Sequence, residues 1–193
     1  MVNLTKIYTR GGDKGETSLG NGDRVKKHSL RISANGAVDA ANAAIGVARL
    51  QTATLQDQGR ADKILARVQN EMFDLGADLT TPLKPGEAAG TALRIVANQV
   101  KKLENDIDAL NAGLKPLASF VLPAGTSAAA QLHVARTSTR EAERAITALA
   151  DIEPVNPEAV AYINRLSDLL FVMARYANTF GPGDVLWVPG QSR

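Results

Sequence analysis

The sequence predicts an all-α fold, a five-helix bundle preceded by a glycine-rich loop. Three observations carry this. Five segments repeat apolar residues at alternating steps of three and four, the stretches between them are rich in proline and glycine, and apolar residues make up 45% of the 193 positions. That composition suits one core in a single domain over residues 1–193. A chain of this size buries roughly 70% of its unfolded surface, so it needs no covalent staple.

The first stripe is Ala34, Val38, Ala41, Ile45 and Ala48, and the second is Ala61, Leu65, Val68, Met72, Leu75 and Leu79. The stretch from Thr80 through Pro82 to Gly90 separates the second from the third, which is Leu93, Val96, Val100, Leu103, Ile107 and Leu110. Pro116 through Gly125 breaks the chain before the fourth, Leu132, Ala135, Thr139, Ala142, Ile146 and Leu149. Asn156-Pro157 opens the fifth, because asparagine caps free amides and proline at the first helical position loses no bond. That stripe is Ala159, Ile163, Leu166, Leu170, Met173 and Ala177, ended by Gly181-Pro182-Gly183. Such steps suit helices packed nearly parallel in a bundle. The tail Val185-Leu186-Trp187-Val188 reads as a short extended piece.

Composition excludes several chemistries. There is no cysteine, so disulfides, thiolate metal sites and cysteine nucleophiles are absent, and two histidines, His28 and His133, argue against structural zinc. The start has no apolar signal core and no run of about 18 apolar residues occurs, so a cytoplasmic protein without a membrane span is expected. A net charge of +2 does not argue for nucleic acid. The charge is uneven, however. Residues 1–31 hold seven basic side chains against three acidic ones, leaving +4 there and −2 on the rest, which points to an anionic ligand or to a solvated basic arm.

Polar side chains sit one position after three of the stripes, about 100° round the helix. They are Asp39 and Asn42 on the first helix, His133, Arg136 and Arg140 on the fourth, and Asn164, Asp168 and Arg175 with Phe171 on the fifth. Interhelical ion pairs or anion recognition by guanidinium both fit such seams. A packed or interface histidine is the simplest account of His133. Before the first helix, Thr9-Arg10-Gly11-Gly12-Asp13-Lys14-Gly15-Glu16-Thr17-Ser18 combines backbone freedom, charge and hydroxyls, the ingredients of a phosphate cradle. It lacks the spacing of a Walker A loop, and a plain flexible loop shares the composition.

Five motifs in order resemble the PduO-type ATP:cob(I)alamin adenosyltransferases. They are Thr9–Ser18, Gly36-Ala-Val-Asp39-Ala-Ala-Asn42, Phe120-Val-Leu-Pro-Ala-Gly-Thr126, His133-Val-Ala-Arg136-Thr-Ser-Thr-Arg140-Glu-Ala-Glu143-Arg144 and Tyr162-Ile-Asn164-Arg-Leu-Ser-Asp168-Leu-Leu-Phe171. The likeness runs from about residue 4 to about residue 178. It implies a homotrimer with active sites between subunits, where ATP, Mg²⁺ and cob(I)alamin meet and the corrinoid is adenosylated. By the same resemblance, Thr9, Arg10, Gly11, Gly12, Thr17, Ser18 and Lys27 hold ATP from one subunit, and Arg140, Glu143, Arg144 and Asn164 complete the nucleotide site. Asp39 and Arg136 match an ion pair across the interface. Phe120 matches an aromatic under the corrin ring, and Phe180 and Trp187 are both candidates for a second, C-terminal one. The metal has no dedicated protein ligands in this reading, since Mg²⁺ rides on the phosphates. A cobalamin reductase is a possible partner.

The chain departs from the family at Glu141, where many members carry a second arginine, at Ala40-Ala41 in place of Glu-Leu, and at Gly11, often threonine. The implied chemistry needs no general base, because cobalt(I) is itself a strong nucleophile. Orientation and charge are the remaining tasks, with Lys27 and Arg140 facing the leaving triphosphate. An ATP-binding regulatory bundle without transferase activity, or a purely structural oligomer, are the alternatives.

Overall fold

A computed structural model describes residues 6–191 and 193. Its helices are α1 (Leu30–Thr52), α2 (Arg60–Thr80), α3 (Ala97–Asn111), α4 (Ser127–Ala150) and α5 (Pro157–Asn178). Ahead of them lies a small antiparallel hairpin, β1 (Glu16–Ser18) and β2 (Arg24–Lys26), in which Glu16 stands opposite Lys26 and pairs with it at 2.8 Å. Periodicity did not foretell this hairpin, because three-residue strands are too short to show a two-residue alternation. The expected all-α class is corrected to that extent.

One hydrophobic core serves all five helices. Every residue of the first, second, fourth and fifth stripes is buried. Helix α1 packs against α2 and α4, and α5 lies against α4, α3 and, more lightly, α2. The central helix α5 also buries Tyr162, Leu169 and Ala174 off its stripe. The cap at its start is as expected: Asn156 Oδ1 accepts from the amide of Glu158 at 3.1 Å, with Pro157 at the first helical position.

The third stripe needs correction. Leu93 and Val96 lie outside α3 and are exposed, while Ile95 between them is buried. A buried carboxylate causes the shift. Asp78, at the end of α2, accepts from Arg94 Nη1 at 2.7 Å, from the Ile95 amide at 2.8 Å and from Asn156 Nδ2 at 2.7 Å. Glu87 takes the other side of the Arg94 guanidinium at 2.8 Å. These bonds hold residues 94–95 extended, and the helix begins only at Ala97, where the Gln99 side chain reaches back to the Val96 amide at 3.0 Å.

The bundle has two ends. At one, Arg31 in the first turn of α1 donates to the carbonyl of Leu79 and to Glu153 just beyond α4, and Asn156 at the start of α5 meets Asp78. The hairpin docks here too, through buried Leu19 and the Gly20 amide on the Thr80 carbonyl at 2.9 Å. At the other end, the loop entering α4 meets the end of α5. There Asn178, fully buried, accepts from the Thr126 amide at 2.9 Å and donates to the carbonyl of Ala124 and to Asp184. At 1.5 Å per residue, α5 holds the two ends roughly 30 Å apart.

Gly125 is the tightest point of that second end. Its φ is +107°, and a Cβ there would stand 2.1 Å from Asn178 Oδ1. Gly125→Ala is therefore expected to cost about 3 kcal/mol, combining a glycine-only backbone with displacement of a buried, bonded amide. A denaturant melt checks this, and a variant as stable as the parent contradicts the role given to Asn178.

Candidate functional site

Ion pairing separates the arginines into two groups. Arg31, Arg49, Arg67, Arg94, Arg165 and Arg175 are each paired with a carboxylate. Among the described residues, Arg10, Lys27, Arg136, Arg140 and Arg144 enter none of the ion pairs. The cations named as site residues are thus without a carboxylate in the chain, a state they share with others such as Arg24 and Arg60. Simple interhelical salt bridging within the chain therefore does not explain them. Two other seam residues are structural. Arg175 is clasped by Asp184 at 2.9 Å and by the Lys115 carbonyl at 2.7 Å, and Asn42 exchanges bonds with Gln69 of α2. Asp168 pairs with Arg165, its neighbour one turn back.

Arg136, Arg140 and Arg144 follow one another at four-residue steps along α4, spanning roughly 12 Å. Their proximity is felt electrostatically: burial first, and then the charge of Arg140, lower the pKa of Arg136. Arg140 and Arg144, with Thr137 and Glu141, line an open groove of ≈ 310 Å³. Glu141 is thus in the groove, where its charge offsets part of the cationic field. One strand of hydrogen bonding ties the neighbouring helix in: Asn164 Nδ2 on α5 donates to Glu143 Oε1 on α4 at 2.6 Å. The sequence-predicted set Arg140, Glu143, Arg144 and Asn164 is therefore one cluster on two adjacent helices.

Arg136, one turn toward the start of α4, lines a second and larger cavity of ≈ 620 Å³ with Leu117, Ser119, Phe120, Val121 and Phe171. Phe120 is 77% exposed, which excludes a core role. The C-terminal tail lies against this loop. Val121 and Leu186 form an antiparallel bridge, the Trp187 amide donates to the Phe120 carbonyl at 2.8 Å, and Ser119 Oγ donates to the Trp187 carbonyl at 2.7 Å. The tail is extended as expected, and the two C-terminal aromatics differ in their neighbours. Trp187 stands 5.9 Å from Phe120, whereas Phe180 packs on Tyr176.

The glycine-rich loop is organised by the hairpin. Arg10 takes φ +60° and Gly15 φ +81°, and turns close from Asp13 to Arg10 and from Gly15 to Gly12. Arg24, which sequence reasoning passed over, bonds the Gly11 carbonyl at 2.7 Å and Ser18 Oγ at 3.1 Å. Only long-range pairing brings it there, and no local signal marks it. Lys27 lies over Gly12: a Cβ at that glycine would stand 3.0 Å from Nζ and 3.3 Å from the Glu16 carbonyl. Thr9, Arg10, Gly11, Ser18 and Lys27 are exposed, with Gly12 and Thr17 half-buried.

The structure does not bring this loop to the α4 cavities. None of its residues lines either one, and it is anchored at the end of the bundle opposite Phe120. Asp39 is exposed in a groove of ≈ 350 Å³ between α1 and α2, and within one chain it does not pair with Arg136. Among the described residues no cluster of three or more His, Asp or Glu side chains could hold a metal ion, and no helix is long and apolar enough to cross a membrane.

A family model described as cobalamin adenosyltransferase matches residues 7–177. The corrinoid adenosyltransferase of Mycobacterium tuberculosis is 46% identical over 194 residues, covering 100% of this chain and 97% of that one. The cobalamin adenosyltransferase of Cupriavidus metallidurans is 45% identical over 185 residues, 95% of each. Among solved structures, a variant PduO-type ATP:corrinoid adenosyltransferase from Lactobacillus reuteri, complexed with cobalamin and ATP, superposes with a TM-score of 0.83 at 36% identity, covering 94% of this chain and 99% of that one.

Proposed function

The chain belongs to the cobalamin adenosyltransferase family, and on that premise we propose that it transfers the 5′-deoxyadenosyl group of ATP to cob(I)alamin, giving adenosylcobalamin and triphosphate. One observation carries the reading. A largely apolar cavity under Phe120, with Arg136 in its wall, and a groove lined by the guanidiniums of Arg140 and Arg144 lie one turn apart on α4. That is a place for a large, mostly apolar ring beside a polyanion. A regulatory ATP-binding bundle would have no use for the cavity.

In the reaction the electron pair of cobalt(I) attacks the 5′ carbon. The cobalt–carbon bond forms, the carbon–oxygen bond breaks, and its pair leaves on the triphosphate. No proton moves, so the chain needs no general base. Its residues orient and neutralise. Arg140 and Arg144 face the triphosphate from α4, and Asn164, fixed by Glu143, adds a donor or acceptor to the nucleoside. Lys27, with the backbone of Thr9–Gly12 and the hydroxyls of Thr17 and Ser18, supplies the opposite wall. Mg²⁺, carried on the phosphate oxygens, would add to that neutralisation. Fixed cations stabilise the charge that grows on the leaving group because they need not reorganise as it appears. Phe120 and Trp187 flank the corrinoid, and Phe120 keeps the lower axial base off cobalt.

The glycine-rich loop and the α4 face lie apart in one chain, which supports a site completed between subunits of a homotrimer. Asp39 of the partner subunit would then give Arg136 the carboxylate it lacks. Such a trimer fits a cytoplasmic enzyme that takes its electron from a cobalamin reductase, with neither nucleic acid nor membrane as partner.

Two measurements test this. Protein incubated with ATP, Mg²⁺ and chemically reduced cobalamin should give a light-sensitive alkylcobalamin spectrum; ATP binding without that product would favour the regulatory alternative. Arg136→Ala is expected to shift the sedimenting species from trimer toward monomer and to lower activity with it, since breaking one side of a desolvated ion pair costs about 3–5 kcal/mol. A wild-type chain that sediments as a monomer at micromolar concentration would remove the intersubunit site.

A further inference from the structure

His133 lies directly behind the wall of the cavity under Phe120, and the chemistry above leaves it without a task. It is 2% exposed. Its Nδ1 accepts from Arg136 Nε at 3.3 Å, and its ring centroid stands 6.3 Å from that of Phe171. Both of those partners line the cavity. The other nitrogen, Nε2, is buried and has no partner among the described residues. A guanidinium can only donate, so an imidazole nitrogen facing it must be the unprotonated one. The arrangement therefore requires a neutral ring with its proton on Nε2.

We propose that His133 is the positioning residue of the corrinoid cavity: neutral, it seats the Arg136 guanidinium and the Phe171 ring on the cavity wall, and on protonation it releases Arg136 and weakens corrinoid binding in acid. This rests on the reading of the cavity as the corrinoid site. A protonated ring offers only donors and adds a positive charge beside a guanidinium that already has Arg140 as its neighbour. Both effects push Arg136 off its seat.

The surroundings favour the neutral form. Burial, and then the charge of Arg136, lower the pKa of His133 below the ordinary imidazole value. Asp184, from the tail beyond α5, acts the other way, but it is engaged with Arg175 of α5 at 2.9 Å and with Asn178. The charges that act on His133 are those of Arg136 and Asp184. The sign follows. With its folded pKa depressed, His133 makes its contribution in full above the ordinary imidazole value, and that contribution is lost as pH falls through the lower, folded value.

The test measures cobalamin affinity of the ATP-loaded protein between pH 5 and 8, with circular dichroism on every variant. Asparagine places an amide oxygen near the position of Nδ1, whereas glutamine places its polar atoms near Nε2. Wild type should lose affinity in acid. His133→Asn should bind like wild type at pH 7.5 and keep that affinity into acid. His133→Gln should bind about tenfold more weakly at pH 7.5, the size of one hydrogen bond to a charged group, with unchanged helix content. An acid loss that persists in His133→Asn, or full affinity in a folded His133→Gln, overturns the proposal. If both variants misfold, the wild type decides. The chain has only two histidines, so proton NMR follows each. The His133 midpoint must coincide with the acid loss of affinity, and a midpoint elsewhere overturns the proposal. Failure to bind cobalamin at any pH sinks the function reading itself, whereas binding that ignores His133 sinks only this inference.

Discussion

Phe120→Ala is expected to lower turnover about a hundredfold when cobalamin enters as cobalt(II) with a biological reductant, while leaving ATP affinity and the melting temperature nearly unchanged. The stability half of this follows from the structure. At 77% exposure the ring fills no core, so truncation falls in the surface class, within about 0.5 kcal/mol. The kinetic half follows from the ring's place. Phe120 lines the cavity, with the Trp187 ring 5.9 Å from its own, and without Phe120 the lower base or water can return to cobalt. An axial donor raises the energy of the reduced metal, and axial ligation is the lever by which a protein tunes a metal's potential. A hundredfold loss corresponds to roughly 118 mV, at ~59 mV per tenfold for a one-electron couple. The loss should shrink when cobalt(I) is prepared in advance with a strong chemical reductant. Spectroscopy of the cobalt(II) complex with ATP is the direct readout, and an unchanged four-coordinate signal in the variant would take Phe120 out of the mechanism.

Arg140→Ala is expected to lower kcat/KM for ATP by about 10²–10³, the loss typical of removing one preorganised partner of developing transition-state charge. Its side chain is exposed and makes no ion pair among the described residues. The effect should therefore come without loss of helix content. Asn164→Ala should give a smaller loss of the same kind, because its 2.6 Å bond to Glu143 orients rather than neutralises. Full kcat/KM for ATP in folded Arg140→Ala would remove that arginine from the nucleotide site.

The helices were legible because burial of one face imposes a period of about 3.6 on a local stretch of chain. Four of the five stripes are buried to the last residue. The site motifs were legible for a similar reason: Arg136, Arg140, Glu143 and Arg144 need only one helix to hold them in register, and the Asn164 bond adds one neighbour. The third stripe failed at Leu93 and Val96 because a buried carboxylate sixteen residues before Arg94, Asp78, captured that arginine and the Ile95 amide. No local period records such a capture.

By itself, the sequence determined five helices, their buried faces, the family likeness and the identity of the cationic residues, all properties of short segments with their own repeat or motif. Only the tertiary structure decided which arginines are taken up by carboxylates, that Arg24 and the hairpin shape the glycine-rich loop, and that Trp187 rather than Phe180 joins Phe120. It alone put that loop and the cavity under Phe120 at opposite ends of one chain. Each of these depends on partners far apart in sequence, such as Val121 and Leu186. Their contact is set by how the whole bundle closes, through hydrogen bonds and charge pairs that leave no periodic trace in the chain.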